Sequence, residues 1–251
     1  MPLTLLANWK LNGSKSFSQA WLKDFFKNYK GIEISSIGIA PPSILIDELV
    51  NHPENIGISI GSQNIDQFLL GARTGEISAT MVKESGCAFS ILGHSERRIF
   101  FKETNGDISL KLDLASESKL MPIFCIGESN DEKQQNKTKD VLKKQIIDVL
   151  SHCSKVDDLI IAYEPVWAIG SGHTPEPKEI NSIHEMIKDI VQSHFSKLDL
   201  QAVLYGGSVN IENAASIFKE KEVDGALVGG ASLKGEEFAI LANIFNEKKG
   251  L

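Results

Sequence analysis

Short apolar runs recur along the chain at 3–7, 37–40, 56–60, 88–92, 121–126, 159–162, 202–205 and 225–228. Each has the length of a buried strand, and each is continuously apolar rather than alternating. A parallel strand covered on both faces shows that pattern. Longer amphipathic segments separate most of the runs. In 17–29, Ala20, Trp21, Phe25 and Phe26 fall on one face, and in 141–150 Val141, Leu142, Ile146, Val149 and Leu150 do the same. Helical spacing of the apolar residues, with Lys, Glu and Asp elsewhere, predicts crossover helices. Strands alternating with helices mean a doubly wound sheet or a closed barrel. Eight units in 251 residues favour the barrel. No Pro/Gly/Ser-rich linker or shift of composition divides the chain, so 1–251 is expected to form one (β/α)8 domain of the α/β class. The polar stretch 133–139 reads as a solvated helix start.

Composition narrows the partners. The chain is 42% hydrophobic and 24% charged, with a formal net charge of −7 and no basic block. Nucleic acid is therefore not expected as a partner. Nowhere do 18 apolar residues run together, so no membrane span is expected. The start, Met1-Pro2-Leu3-Thr4-Leu5-Leu6, lacks the basic lead and long apolar stretch of a signal peptide. Cys87, Cys125 and Cys153 form an odd, widely spaced set without a CxxC pair. They read as free thiols in a reducing compartment, and the expected location is cytoplasmic.

Polar residues of catalytic type sit just past the carboxyl ends of the predicted strands. Asn8 and Lys10 follow the first, His94 the fourth, Glu164 the sixth, Gly206-Gly207-Ser208 the seventh and Gly229-Gly230 the eighth. In a parallel barrel those ends share one rim, where barrel enzymes keep their chemistry. Glu164 is followed by Pro165 and an apolar loop, Val166-Trp167-Ala168-Ile169, then Gly170-Ser171-Gly172. Apolar residues in a surface loop suit a lid that closes and dries the carboxylate, which makes it a stronger base. His94 precedes a short predicted helix starting at Ser95-Glu96, whose positive end favours a neutral imidazole able to donate to a substrate oxygen. Lys10 is a candidate counter-ion for an anion, and Asn8 can orient a substrate oxygen. Glu96 either holds Lys10 by charge or caps its own helix.

Two glycine pairs complete the rim. Gly206-Gly207-Ser208 and Gly229-Gly230 leave backbone N–H groups open to an anion after the last two strands, the usual position of a barrel phosphate cradle. Other chemistries find no support. The chain has no HExxH, no His, Cys, Asp or Glu cluster with metal-ligand spacing and no GxSxG elbow. Gly170-Ser171-Gly172 lacks the third glycine and preceding strand of a dinucleotide loop. No metal or organic cofactor is expected.

Asn8-Trp9-Lys10, Ile91-Leu92-Gly93-His94-Ser95-Glu96-Arg97-Arg98, Tyr163-Glu164-Pro165-Val166-Trp167-Ala168-Ile169-Gly170, Tyr205-Gly206-Gly207-Ser208-Val209 and Val228-Gly229-Gly230-Ala231-Ser232-Leu233 together resemble triosephosphate isomerase. The similarity runs in family order from near the N-terminus to beyond Leu233. It implies a cofactor-free TIM barrel, usually a homodimer, that interconverts dihydroxyacetone phosphate and D-glyceraldehyde 3-phosphate. A glutamate base paired with a neutral histidine is an arrangement already described for that family. The resemblance assigns Glu164 as base, His94 as electrophile, and Lys10 and Asn8 to the substrate's charge. Gly170, Ser171, Ser208, Gly229 and Gly230 would meet the phosphate. The loop 61–76 resembles the family's dimer loop, and Thr74 is expected to enter the partner subunit and brace its Asn8 and Lys10.

Three positions depart from the family pattern. His173-Thr174-Pro175 replaces the common Lys and small residues at the lid's second hinge, and Pro175 restricts the backbone there. Ser171 stands where Thr is frequent, keeping the hydroxyl. Arg73 replaces a common aromatic in the dimer loop. Two other readings remain open on residues alone: a phosphate-binding barrel enzyme for a larger sugar phosphate, and a dimeric barrel that binds phosphorylated metabolites without turning them over.

Overall fold

Strands β1 (Leu5–Asn8), β2 (Ile37–Ala40), β3 (Ser59–Ser62), β4 (Phe89–Leu92), β5 (Met121–Ile126), β6 (Asp158–Tyr163), β7 (Asp199–Tyr205) and β8 (Gly225–Val228) pair in chain order as a parallel sheet. The sheet closes because β1 pairs with both β2 and β8. This computed structural model describes residues 4–31, 34–169 and 174–250. Leu3, Gly170, Ser171, Gly172 and His173, which entered the expectations above, lie outside them.

The helices are α1 (Lys15–Asn28), α2 (Ile46–Val50), α3 (Ala79–Glu84), α4 (Ser95–Phe100), α5 (Asn105–Glu117), α6 (Asn130–Gln134), α7 (Thr138–Leu150), α8 (Pro177–His194), α9 (Ile211–Phe218) and α10 (Gly235–Lys249). Among the described residues none is long and apolar enough to cross a membrane. The architecture is a single-domain (β/α)8 barrel, as the strand–helix alternation predicted.

Two apolar cores explain why the strand segments are apolar throughout. Leu6, Ile91, Ile123, Ile160, Ala162 and Leu204 pack inside the barrel. Their neighbours Leu5, Ala7, Leu92, Ile161 and Val203 pack outward against the helices. Phe89 fills the interior on one side. A Cβ on Gly61 or Gly38 would stand 2.4 or 2.7 Å from its ring, so small residues on β2 and β3 make room for a large one on β4.

Several local expectations need correction. The apolar run at 56–60 announces a strand that lies at Ser59–Ser62, because its inner positions are occupied by the Phe89 ring rather than by apolar side chains. On α1, Ala20 is exposed and Leu22 is buried beside Trp21 and Phe25. The stretch 133–139 is the end of α6, a turn at Asn136 with φ 55°, and the start of α7, rather than one helix start. Cys87 and Cys125 are buried, Cys153 is half-buried, and all three are free.

Candidate active site

Every strand carries its carboxyl end to the same rim, and the expected residues meet there. A cavity of about 370 Å³ is lined by Asn8, Lys10, His94, Glu164, Ser208 and both Gly229 and Gly230. Glu164 follows the end of β6 and is only 2% exposed. Its Oε2 accepts the Ser95 backbone N–H at 2.9 Å, and its Oε1 lies 3.1 Å from His94 Nε2. A buried carboxylate needs such donors, because burial without them is costly.

The histidine's tautomer follows from its other nitrogen. His94 caps α4, and its Nδ1 accepts the Glu96 backbone N–H at 3.1 Å. An acceptor nitrogen carries no proton, so the neutral ring holds its proton on Nε2. That proton points at Glu164 and the cavity.

Lys10 reaches the cavity from a strained backbone. Its φ of 52° lies in the left-handed region, at a cost of about 1–3 kcal/mol for a residue with a side chain. Three contacts hold it there. Lys10 N–H donates to Asn8 Oδ1 at 3.1 Å, the Lys10 carbonyl accepts from Gln63 Nε2 at 2.9 Å, and Nζ sits 2.6 Å from Glu96 Oε1. Of the two readings of Glu96, the ion pair is the one realised; the cap belongs to His94. Gly229 gives Lys10 room to pass, since a Cβ there would stand 3.3 Å from Lys10 Cε.

The segment after β6, where a lid is expected, is anchored at its start. Trp167 Nε1 donates to Glu128 Oε1 at 2.9 Å, and the Tyr163 hydroxyl donates to the same oxygen at 3.2 Å. Glu128 is fully buried, and burial pushes its carboxyl up from the ordinary range, with the Trp167 hydrogen bond opposing. Ser208 Oγ donates to the Ala168 carbonyl at 2.6 Å, so its hydroxyl is engaged with the lid rather than facing the cavity. Asn213 Nδ2 donates to the Ser208 carbonyl at 3.0 Å, and Thr174 Oγ1 contacts that carbonyl at 3.4 Å.

A model of the family described as triosephosphate isomerase matches residues 3–245. The triosephosphate isomerases of Escherichia coli K12 (DH10B) and Shigella boydii serotype 18 are each 40% identical over 240 residues, covering 94% of this chain and 94% of the relative. The chain belongs to the triosephosphate isomerase family.

Within that family frame, Asn8, Lys10, His94, Glu96, Glu164, Ser208, Gly229 and Gly230 gather at one rim. Thr74 does not join them. It stands exposed on the loop after β3, in a turn where Gly71 and Gly75 take φ of 141° and 94°. Sequence reasoning missed Gln63, which also donates to the Ala40 carbonyl at 2.9 Å, and Glu128. Gln63 is the first residue after β3 and Glu128 the second after β5, positions of the kind that drew attention to the others, but their contacts emerge only in the folded chain. Among the described residues no group of three or more His, Cys, Asp or Glu could hold a metal ion.

Proposed function

We propose that Glu164 removes a carbon-bound proton from dihydroxyacetone phosphate and returns it to the neighbouring carbon, giving D-glyceraldehyde 3-phosphate. The reaction is the family's step in glycolysis and gluconeogenesis. The observation that carries the assignment is the direct contact of the buried Glu164 carboxylate with His94 Nε2–H at the cavity wall, 3.1 Å apart. A substrate entering between them separates the two groups. The carboxylate then faces a carbon-bound proton while the imidazole donates to the adjacent oxygen. As the proton leaves, charge builds on the oxygens of the enediolate, and His94 Nε2–H and Lys10 Nζ stabilise it. Asn8 orients the same oxygens. The phosphate sits against the backbone of Gly229 and Gly230 and the Ser208 loop; Gly170 and Ser171, the other residues expected to meet it, lie outside the described residues. The carbon-bound proton passes from C1 to C2 by way of Glu164, the hydroxyl proton passes from O1 to O2 beside His94 Nε2, and no electrons leave the substrate, so the scheme uses no cofactor.

The working form in this proposal is a cytoplasmic homodimer built through the 61–76 loop. Exposed Leu11, Ile44, Phe68, Leu70, Phe100 and Phe101 all lie on segments that follow β1 to β4, at the rim that carries the loop. Clustered exposed apolar groups mark interaction surfaces. A hollow of about 570 Å³ beside Lys10 and Glu96 opens toward the same side and offers a seat for the partner's Thr74.

The test is turnover by the purified protein with each triose phosphate and no added cofactor. Interconversion in both directions supports the reading. Turnover of a pentose phosphate in preference to a triose phosphate rejects it.

A further inference from the structure

The backbone that carries Glu164 continues the sheet past the ends of β5 and β6. Glu164 N–H donates to the Ile126 carbonyl at 2.7 Å, and Val166 N–H donates to the Glu128 carbonyl at 3.0 Å. Between those two carbonyls lies Gly127, whose own N–H and C=O face the opposite way. Among the described residues no strand covers that side, because the pairing of β4 with β5 stops at Leu92 opposite Phe124. A side chain from α7 covers it instead. Gln145 Oε1 accepts the Gly127 N–H at 2.9 Å, and Gln145 Nε2 donates to the Gly127 carbonyl at 2.9 Å. One amide group thus does for Gly127 what a neighbouring strand's peptides would do.

The Gly127 peptide is in turn pressed against Glu164. A Cβ on Gly127 would stand 1.7 Å from the Glu164 carbonyl oxygen. Beside the same bend lies a cavity of about 160 Å³, lined by Cys125, Gly127, Ser129, Glu164 and Val166. The bend is therefore not closely packed all round, and its hydrogen bonds help to fix it.

We infer that Gln145 is a positioning residue for Glu164, acting through the Gly127 peptide to hold the carboxylate in register with His94. It touches neither substrate nor reacting atoms. The inference rests on the reading of Glu164 as base. It gives α7, a helix on the barrel's outer face, a part in placing the base, and it explains why a half-buried polar side chain projects from that helix toward the sheet.

Steady-state kinetics of Gln145→Leu, Gln145→Glu and Lys144→Ala test it, the last being an exposed neighbour on α7 that should match wild type. Gln145→Leu keeps bulk but loses both hydrogen bonds. It should lower kcat by about 10- to 100-fold, the scale of a base displaced by about an ångström, with little change in KM. Gln145→Glu adds a readout that simple destabilisation does not produce. Its ionised carboxylate accepts from Gly127 N–H but opposes the Gly127 carbonyl, whereas the protonated acid makes both hydrogen bonds. The ratio of its kcat to that of wild type should rise as pH is lowered from about 8 to about 5. Wild-type kcat in Gln145→Leu, or a ratio independent of pH in Gln145→Glu, overturns the inference. If Gln145→Leu does not fold, the pH dependence of the Glu variant decides alone. Glu164→Gln separates the two levels: near-normal turnover there removes the base assignment, whereas an inactive Glu164→Gln beside fully active Gln145 variants removes only the positioning role.

Discussion

His94 and Glu164 face each other across the base of the cavity, with Nε2 3.1 Å from Oε1, while the other nitrogen of the same ring accepts the Glu96 backbone N–H. The imidazole is therefore committed at both ends. The first turn of α4 fixes its tautomer, and the tautomer fixes which group can donate to the substrate.

His94→Gln keeps a polar side chain but loses this double commitment. Removing a preorganised donor of this kind costs about 10²–10³-fold in kcat. The expected loss is of that size, with KM much less affected. A kcat within a few-fold of wild type would show that another group stabilises the developing charge.

The lid should guard the intermediate. Its first turn is tied down by Trp167 to Glu128 and by Ser208 to Ala168. Deleting 166–169 removes both ties and admits water to the enediolate. Phosphate elimination per turnover should rise, measured as inorganic phosphate released during isomerisation. An unchanged ratio means that the lid does not protect the intermediate.

Buried His184 should shape the acid limb of stability. It is wholly enclosed between α8 and the sheet, and desolvation pushes its pKa from 6.5 down to about 3. Between those values the unfolded chain binds a proton that the folded chain refuses, so stability falls as pH falls. The loss contributed by this one group approaches about 4 kcal/mol at the acid end. His184→Phe should therefore lose less stability than wild type between about pH 6.5 and about pH 3, in denaturant titrations at several pH values. Parallel slopes in the two proteins would show that His184 is not the group responsible.

Arg73 takes a defined place in the loop after β3. Its Nε lies 2.7 Å from the buried Asp66 carboxylate, and its guanidinium stands 4.9 Å over the Phe68 ring. The residue that replaces the family's aromatic thus preshapes the loop carrying Thr74. The pair is partly exposed, so each loop should lose under about 1 kcal/mol on Arg73→Ala. In the proposed homodimer, which would hold two such loops, sedimentation should show the dissociation constant raised by about tenfold. No change in that constant would mean that Arg73 does not prepare the interface.

Much of the fold was legible because burial on both faces leaves strands continuously apolar. The exception shows the rule: β3 is partly emptied for Phe89, so its sequence, Ser-Ile-Gly-Ser, is mostly not apolar, and the apolar run at 56–60 announces it with its bounds shifted toward the N-terminus. The positions of the candidate residues at or just past strand ends were equally legible, from Asn8, which closes β1, to Gly230. Contacts between distant segments were not. Gln145 is one polar residue among several on α7, and only the folded chain brings it to Gly127. Gln63 likewise acquires meaning only when Lys10 is seen in a left-handed conformation that its carbonyl contact helps hold.

One buried carboxylate moves the proton in this scheme, and kcat of Glu164→Gln is the decisive measurement. The amide still accepts the Ser95 N–H, so the barrel should melt as wild type does. A positioned base is worth about 10²–10⁴-fold, and turnover should fall by at least that factor. Near-normal turnover in a preparation free of host enzyme would contradict the account.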